Sequence, residues 1–282
     1  MVHSFRDRRR NILIADASQR GGPAWFLVAI ASLLLAISTP AGAQVLTWDP
    51  NGASAGTGGS GAWNTTSPYW TGTSGTVAWP VGTATTGTNN DAVFAGTSGT
   101  VTVQAAGVFA SDLTFSTTGY LLTGGTITMT SSGTGPTYPN ANTITVDPGV
   151  TVEISNDMLL NGGFTKAGCG TLIFSGSGNR NISWNSLPPF FNQGTGFDRF
   201  DGVTILKSGT LGRSNGNRQS VSIGSALGAA FIQTGGVSVW AGTNFTLGWS
   251  GAANVYGFYG ISSGTFALPQ VTSALSRLEF GI

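Results

Sequence analysis

The sequence predicts an all-β chain coiled into a right-handed parallel β-helix, a β-solenoid with an aromatic-rich N-terminal β cap behind a signal peptide. Three observations carry this. First, short apolar and hydroxyl runs recur along the chain, among them Leu113-Thr114-Phe115, Thr126-Ile127-Thr128-Met129, Thr143-Ile144-Thr145-Val146, Thr151-Val152-Glu153-Ile154 and Val237-Ser238-Val239. Their period of two is that of strands, with aliphatics expected on one face and Thr or Ser on the other. Second, the breaks between them are turn signals, such as Gly124-Gly125, Asp147-Pro148-Gly149 and Gly235-Gly236. Third, no helical periodicity with caps at both ends occurs outside the N-terminal segment. Strand follows strand with no helix to cover a flat parallel sheet, so coiling is the economical way to bury the apolar face.

Composition narrows the classes. The chain has 282 residues, 44 of them glycine, with 8% charged and 40% hydrophobic residues. Disorder needs the reverse balance of charge and hydrophobicity. The net charge of +1 hides an uneven distribution, because Arg6, Arg8, Arg9, Arg10 and Arg20 all precede Ala43. Beyond it, acids outnumber bases and the first base is Lys166. There is no basic footprint for nucleic acid.

Residues 1–43 read as an export address. Arg6 to Arg10 form a positive start, Ala24 to Ile37 an apolar run, and Thr39-Pro40-Ala41-Gly42-Ala43 a small-x-small cleavage site. The apolar run is short for a bilayer span, so a cleaved signal is expected, with export machinery as a partner and no membrane span afterwards. The cut is predicted after Ala43, leaving Gln44 first. Arg9-Arg10 sits too far ahead of the apolar run for a twin-arginine route.

Residues 44–110 form the predicted cap. Trp48, Trp63, Trp70 and Trp79 lie among Gly and Thr, and bulky aromatics folded over a first rung protect its edge and apolar end. The alternative is a sugar platform, with Trp63 and Trp70 as ligand candidates.

Residues 111–268 form the predicted solenoid. At its centre, Gly162 to Gly176 reads Gly-Gly-Phe-Thr-Lys-Ala-Gly-Cys-Gly-Thr-Leu-Ile-Phe-Ser-Gly, echoed at Gly202 to Gly212 by Gly-Val-Thr-Ile-Leu-Lys-Ser-Gly-Thr-Leu-Gly. This stretch, 162–212, resembles the autotransporter-associated β-strand repeat of bacterial secreted and surface proteins. Gly162, Gly163, Lys166, Gly168, Gly170, Thr171, Leu172, Ser175 and Gly176 match its first half. Gly202, Thr204, Gly209, Thr210 and Leu211 match its second. The resemblance is looser over 45–130 and 231–268. After Pro269 the pattern stops, and residues 269–282 are expected to be the end of a truncated reading frame.

The spacer Ser177–Asp201 departs from the family. A projecting loop is expected there, with Trp184, Phe190 and Phe191 packing on the wall and Trp184 as a further ligand candidate. It also holds Asp198 and Asp201, three residues apart beside Arg199. Paired carboxylates could serve as acid and base on a polysaccharide, although two acids in a turn are ordinarily solvated or capping groups.

Other chemistry is thin. The only histidine, His3, precedes the cleavage site, so Ser-His, Cys-His and His-zinc sites are excluded from the exported chain. No clustered oxygen ligands suggest calcium, and neither metal nor cofactor is expected. The only cysteine, Cys169, allows no internal disulfide and reads as a small core-facing or corner residue, the alternatives being intermolecular pairing or a reactive thiol. Thr-x-Thr steps could order water on a flat face, but their spacing is irregular.

The resemblance implies a non-catalytic exported β-solenoid, a structural or adhesive passenger of a bacterial surface protein, secreted or associated with the outer membrane. The repeat would aid passenger folding and export, and partners would be surface glycans or matrix. The alternative is a polysaccharide-binding module or a β-helix lyase or hydrolase.

Overall fold

The computed structural model describes residues 43–52, 57–84, 89–130, 142–161, 163–183, 197–213, 219–224, 228–241, 243–248, 256–269 and 277–280. All of them belong to one compact unit, Gly42–Ile282. The predicted signal, up to Gly42, lies outside the described residues.

The strands, numbered in chain order, fall into three sheets. The first stacks β1 (Val45–Trp48), β5 (Asp91–Phe94), β8 (Leu113–Phe115), β11 (Asn142–Val146), β14 (Phe164–Ala167), β17 (Phe197–Phe200), β20 (Gln219–Ile223), β23 (Thr243–Leu247) and β26 (Arg277–Phe280) in parallel. The second stacks β2 (Gly61–Trp63), β6 (Thr100–Val103), β9 (Leu121–Gly124), β12 (Thr151–Ile154), β15 (Thr171–Phe174), β18 (Gly202–Leu206), β21 (Ala229–Gln233) and β24 (Gly257–Ile261). The third stacks β7 (Val108–Ala110), β10 (Ile127–Thr130), β13 (Met158–Asn161), β16 (Asn179–Ser183), β19 (Thr210–Arg213), β22 (Val237–Trp240) and β25 (Thr265–Ala267). From β5 onward the chain visits the three in turn, so each strand from β8 on pairs in parallel with the one three places before it. That is a three-sided β-solenoid.

Register keeps like positions stacked. Val152 lies opposite Leu172 and Leu172 opposite Thr204, while Ala92 lies opposite Leu113. The inward columns fill the lumen with buried Leu, Ile, Val, Met and Phe. Phe94 stacks on Phe115 at 4.8 Å, and Phe200 meets Phe164 and Phe231 at 5.4 Å each. Each coil thus buries its apolar side against its neighbours, the source of stability in a repeat stack.

Two corner glycines of the repeat are there for backbone reasons. Gly168 has φ 75° and a Cβ would collide with Val146 O; Gly202 has φ 67° and a Cβ would collide with Gly168 O. Successive corners touch backbone to backbone, which only glycine permits in that conformation.

The cap closes the N-terminal end. β3 (Trp70–Gly72) and β4 (Gly75–Val77) add an antiparallel hairpin outside β1, with Trp48 opposite Trp70. Trp48, Trp63, Trp70 and Trp79 are all buried. Trp79 Nε1–H donates to Phe109 O at 2.9 Å, laying an aromatic over β7, the outermost strand of the third sheet.

Two expectations are corrected. Part of the spacer is coil wall rather than projecting loop: β16 and β17 lie within 177–201, and Asp198 sits on β17. Residues 184–196, with Trp184, lie outside the described residues. Aliphatics also do not keep to one side. In β18, Thr204 and Leu206 are buried while Val203 and Ile205 face outward. The strand Gly-Val-Thr-Ile-Leu satisfies period two in either phase, and the buried columns of Leu172 and Phe174 choose between them. The cost is a buried hydroxyl: Thr204 Oγ1 has no hydrogen-bond partner among the described residues. Thr204→Val, which keeps the shape, is expected to stabilise the chain by about 1 kcal/mol in denaturant unfolding; a loss of stability would mean that the hydroxyl is satisfied.

Candidate interaction surface

Both candidate carboxylates are withdrawn from solvent. Asp198 points into the lumen, in the same column as Phe164 and Val221. Its Oδ1 accepts the Phe164 N–H at 3.1 Å and its Oδ2 accepts from Arg213 Nη2, with both side chains fully enclosed. Asp201 is 6% exposed at the following corner, where its N–H donates to Lys166 O at 2.9 Å. The spacing of the two acids beside Arg199 predicts solvated turn acids; the structure instead turns Asp198 inward because Phe200 takes the next lumen position and Arg199 faces out. Arg213, fifteen residues on and one sheet away, is the partner the sequence does not show.

Trp63 and Trp70 are likewise enclosed. Trp70 contacts Trp48, Trp63 and Trp79 at centroid distances of 5.1, 5.0 and 4.4 Å. Neither indole offers a face on which a sugar could stack.

The other buried cations serve the corners. Lys166 Nζ donates to Gly168 O and Gly170 O, both at 2.6 Å, tying the carbonyls of the Gly-x-Gly corner after its own strand. Burial pulls its pKa down to about 8, opposed by the nearby Asp201 and Cys169. Arg180, on β16 and marked by no sequence motif, does the same at the next corner along the chain. Its Nη1 donates to Gly178 O at 2.9 Å, and its Nη2 to Ile154 O at 3.0 Å and to Ser175 O. Burial lowers its pKa to about 10. Asn142 and Gln233 satisfy other carbonyls through their side-chain amides. A coil turning inward leaves corner carbonyls facing the lumen, and each needs a donor.

Among the other repeat residues, Gly163, Gly170, Leu172 and Leu211 are buried, Thr171, Gly209 and Thr210 are half-buried and Gly176 is exposed; Gly162 lies outside the described residues. Cys169 is exposed at its corner. Ala43 is exposed, and the Gln44 N–H donates to Asn90 Oδ1 at 2.8 Å. Among the described residues no cluster of three or more His, Cys, Asp or Glu could hold a metal, and no helix is long and apolar enough to cross a membrane.

The outer faces of the three sheets differ. The first is polar, with Thr47, Thr114, Thr143, Thr145 and Thr165 facing outward. It also carries Asp91 beside Asp112. The Asp112 N–H donates to Asp91 Oδ1 at 3.3 Å and Asp112 Oδ1 accepts the Thr143 N–H at 2.8 Å. Burial drives the Asp112 pKa up to about 6; the Thr143 amide opposes this and the Asp91 charge adds to it. A carboxyl raised in the folded state favours folding when protonated, so this contribution is fully present below about pH 4 and is lost as pH rises through about 6. Asp112→Asn keeps the acceptor for Thr143 and removes the charge. It is expected to raise stability at pH 7.5 by about 1 kcal/mol, after discounting for partial solvation, and to do little at pH 4. Melting curves at the two pH values check this, and an equal effect at both would refute it.

The second sheet carries an apolar column outside as well as inside, beside outward Thr100, Thr102, Thr123, Thr151 and Thr171. Leu121, Ile173, Ile205 and Ile232 form one outward column interrupted by Glu153, and Val203, Ala230 and Phe258 lie in the next. Phe258 is 58% exposed and its ring lies over Gly260, filling the end of the isoleucine column. Glu153 pairs with Lys207 at 3.2 Å, and hydrogen bonds from Ser175 and Lys207 hold its pKa below the usual range against burial. The signal for this ladder was in the sequence: an isoleucine recurs at the same offset in Leu172-Ile173, Thr204-Ile205 and Phe231-Ile232, legible once the rungs are aligned.

No protein-family model matches the chain, and no solved structure matches it. Over 201 residues, 71% of its length, it is 33% identical to the Adhesin BmaC autotransporter of Brucella suis biovar 1 (strain 1330). The match spans 5% of that protein's length, so the chain is similar to one short segment of a much longer autotransporter adhesin.

Proposed function

We propose that the chain is a non-catalytic structural and adhesive segment of an exported bacterial surface protein, with surface glycans or matrix as partners and the 162–212 repeat aiding folding and export. The observation that carries this reading is how the lumen uses its ionic groups. Lys166 and Arg180 tie corner carbonyls and Asp198 pairs with Arg213, so the buried charges are engaged in holding the coil. The similarity to an adhesin segment supports the same reading. Export with cleavage after Ala43 would leave Gln44 as the first residue, on the edge of β1.

The experiment expresses the chain in a bacterium with the secretory route, identifies its first residue by mass spectrometry, and coats beads with it. The expected results are a mature chain beginning at Gln44 and bead retention on immobilised matrix proteins or polysaccharide without product release. Reducing-sugar release that disappears in Asp198→Asn and Asp201→Asn variants would overturn the non-catalytic reading. Failure of the beads to bind any of these surfaces would overturn the adhesive one.

A further inference from the structure

We propose that the outer face of the second sheet is a self-association surface, on which a second copy of this chain packs face to face. The inference stands independently of whether the chain adheres to anything else.

The argument starts from contrast between the sides. Outward positions of the first sheet are mostly polar, namely Thr47, Asp91, Thr114, Thr143, Thr145, Thr165 and Arg199, with Val45, Val93 and Ala167 among them. Outward positions of the second from β9 to β24 are Leu121, Ile173, Ile205, Ile232, Val203, Ala230 and Phe258 together with Thr123, Thr151 and Thr171, and Glu153 is the one charge within these columns. The lumen does not need this apolar surface, because the buried column beside it (Leu122, Ile154, Phe174, Leu206) already supplies the core. The third sheet also turns Phe109, Leu159 and Val239 outward, but Thr128 and Asn181 interrupt them, so the unbroken run of Ile173, Ile205 and Ile232 on the second sheet is the strip that reads as a contact surface.

The geometry favours an identical partner. Parallel strands repeat every ~4.8 Å, so the ladder is a row of ridges at fixed spacing. A surface of the same period fits it rung for rung, and a second copy has that period by construction. A two-fold axis along β15 sets Ile173 against Ile173, with β12 over β18. Glu153 then faces Ile205 of the second copy and comes within reach of its Lys207, so the Glu153–Lys207 pair formed within each chain can be shared across the interface. Although paired with each other at 3.2 Å, Lys207 and Glu153 retain side-chain exposures of 47% and 34%, enough to reach a second copy.

The size of the strip sets the strength. Six strands from β9 to β24 span about 24 Å, and four residues along a strand about 13 Å. The plan area is roughly 300 Å² per copy, below the ~800 Å² per partner of a standard stable interface. Association is therefore weak and concentration-dependent.

Sedimentation velocity of the purified chain, from micromolar to millimolar, tests this. The expected result is a sedimentation coefficient that rises with concentration. Ile173→Lys, which changes an outward side chain on the axis, should raise the dissociation constant by about tenfold or more while leaving the melting curve unchanged. Glu153→Lys should weaken association, and the double exchange Glu153→Lys with Lys207→Glu should restore it, an outcome that general stickiness would not produce. A wild-type chain that stays monomeric over the whole range, or an Ile173→Lys chain that associates like wild type, would overturn the proposal. So would a monomeric wild type that floats with zwitterionic lipid vesicles while Ile173→Lys does not; the face would then belong to a lipid surface.

Discussion

Replacing Trp70 by alanine is expected to cost about 3–5 kcal/mol, the range for removing a large buried aromatic. Trp70 is fully enclosed and touches Trp48, Trp63, Trp79 and Phe94, so the cavity would open at the centre of the cap rather than at its rim. The backbone has little freedom to collapse into it, because Trp70 pairs with Trp48 on one side and Val77 on the other. Coils of a solenoid contact only their neighbours, so the loss should stay near the cap. Amide exchange should accelerate in β1 to β6 and remain nearly unchanged in β18 to β22. Uniform acceleration along the chain would show that the stack unfolds as one unit. No acceleration would show that the tryptophans do not close the end.

Asp198→Ala is expected to be similarly severe, about 3–5 kcal/mol, for a different reason. It leaves the Arg213 guanidinium enclosed without its carboxylate and takes the acceptor from the Phe164 N–H. Most of the penalty comes from the charge left behind, so Asp198→Leu combined with Arg213→Met should recover much of the loss. An exposed acid on a projecting loop would behave otherwise, with its removal changing stability by no more than about 0.5 kcal/mol. Denaturant unfolding of the single and double variants separates these outcomes. A near-neutral Asp198→Ala would mean that the carboxylate is not enclosed in the folded chain.

The sequence by itself determined that the chain is all-β, that it coils, and where most strands run. Those properties depend on local chemistry: hydroxyl and aliphatic residues alternate along a strand, and glycines stand where the backbone needs positive φ, as at Gly168 and Gly202. The repeat resemblance rests on the same residues. Only the tertiary structure decided which side of each strand lines the lumen. Period two separates two faces without naming the inner one, so Thr204 turned inward and Ile205 outward against the simpler expectation. It also decided which polar groups meet. Arg213 reaches Asp198 from another sheet and Trp79 reaches Phe109 from thirty residues away, because coiling brings distant residues together. The apolar strip on the second sheet has the same origin. Each isoleucine belongs to a separate short strand, and stacking the coils in register makes them one surface.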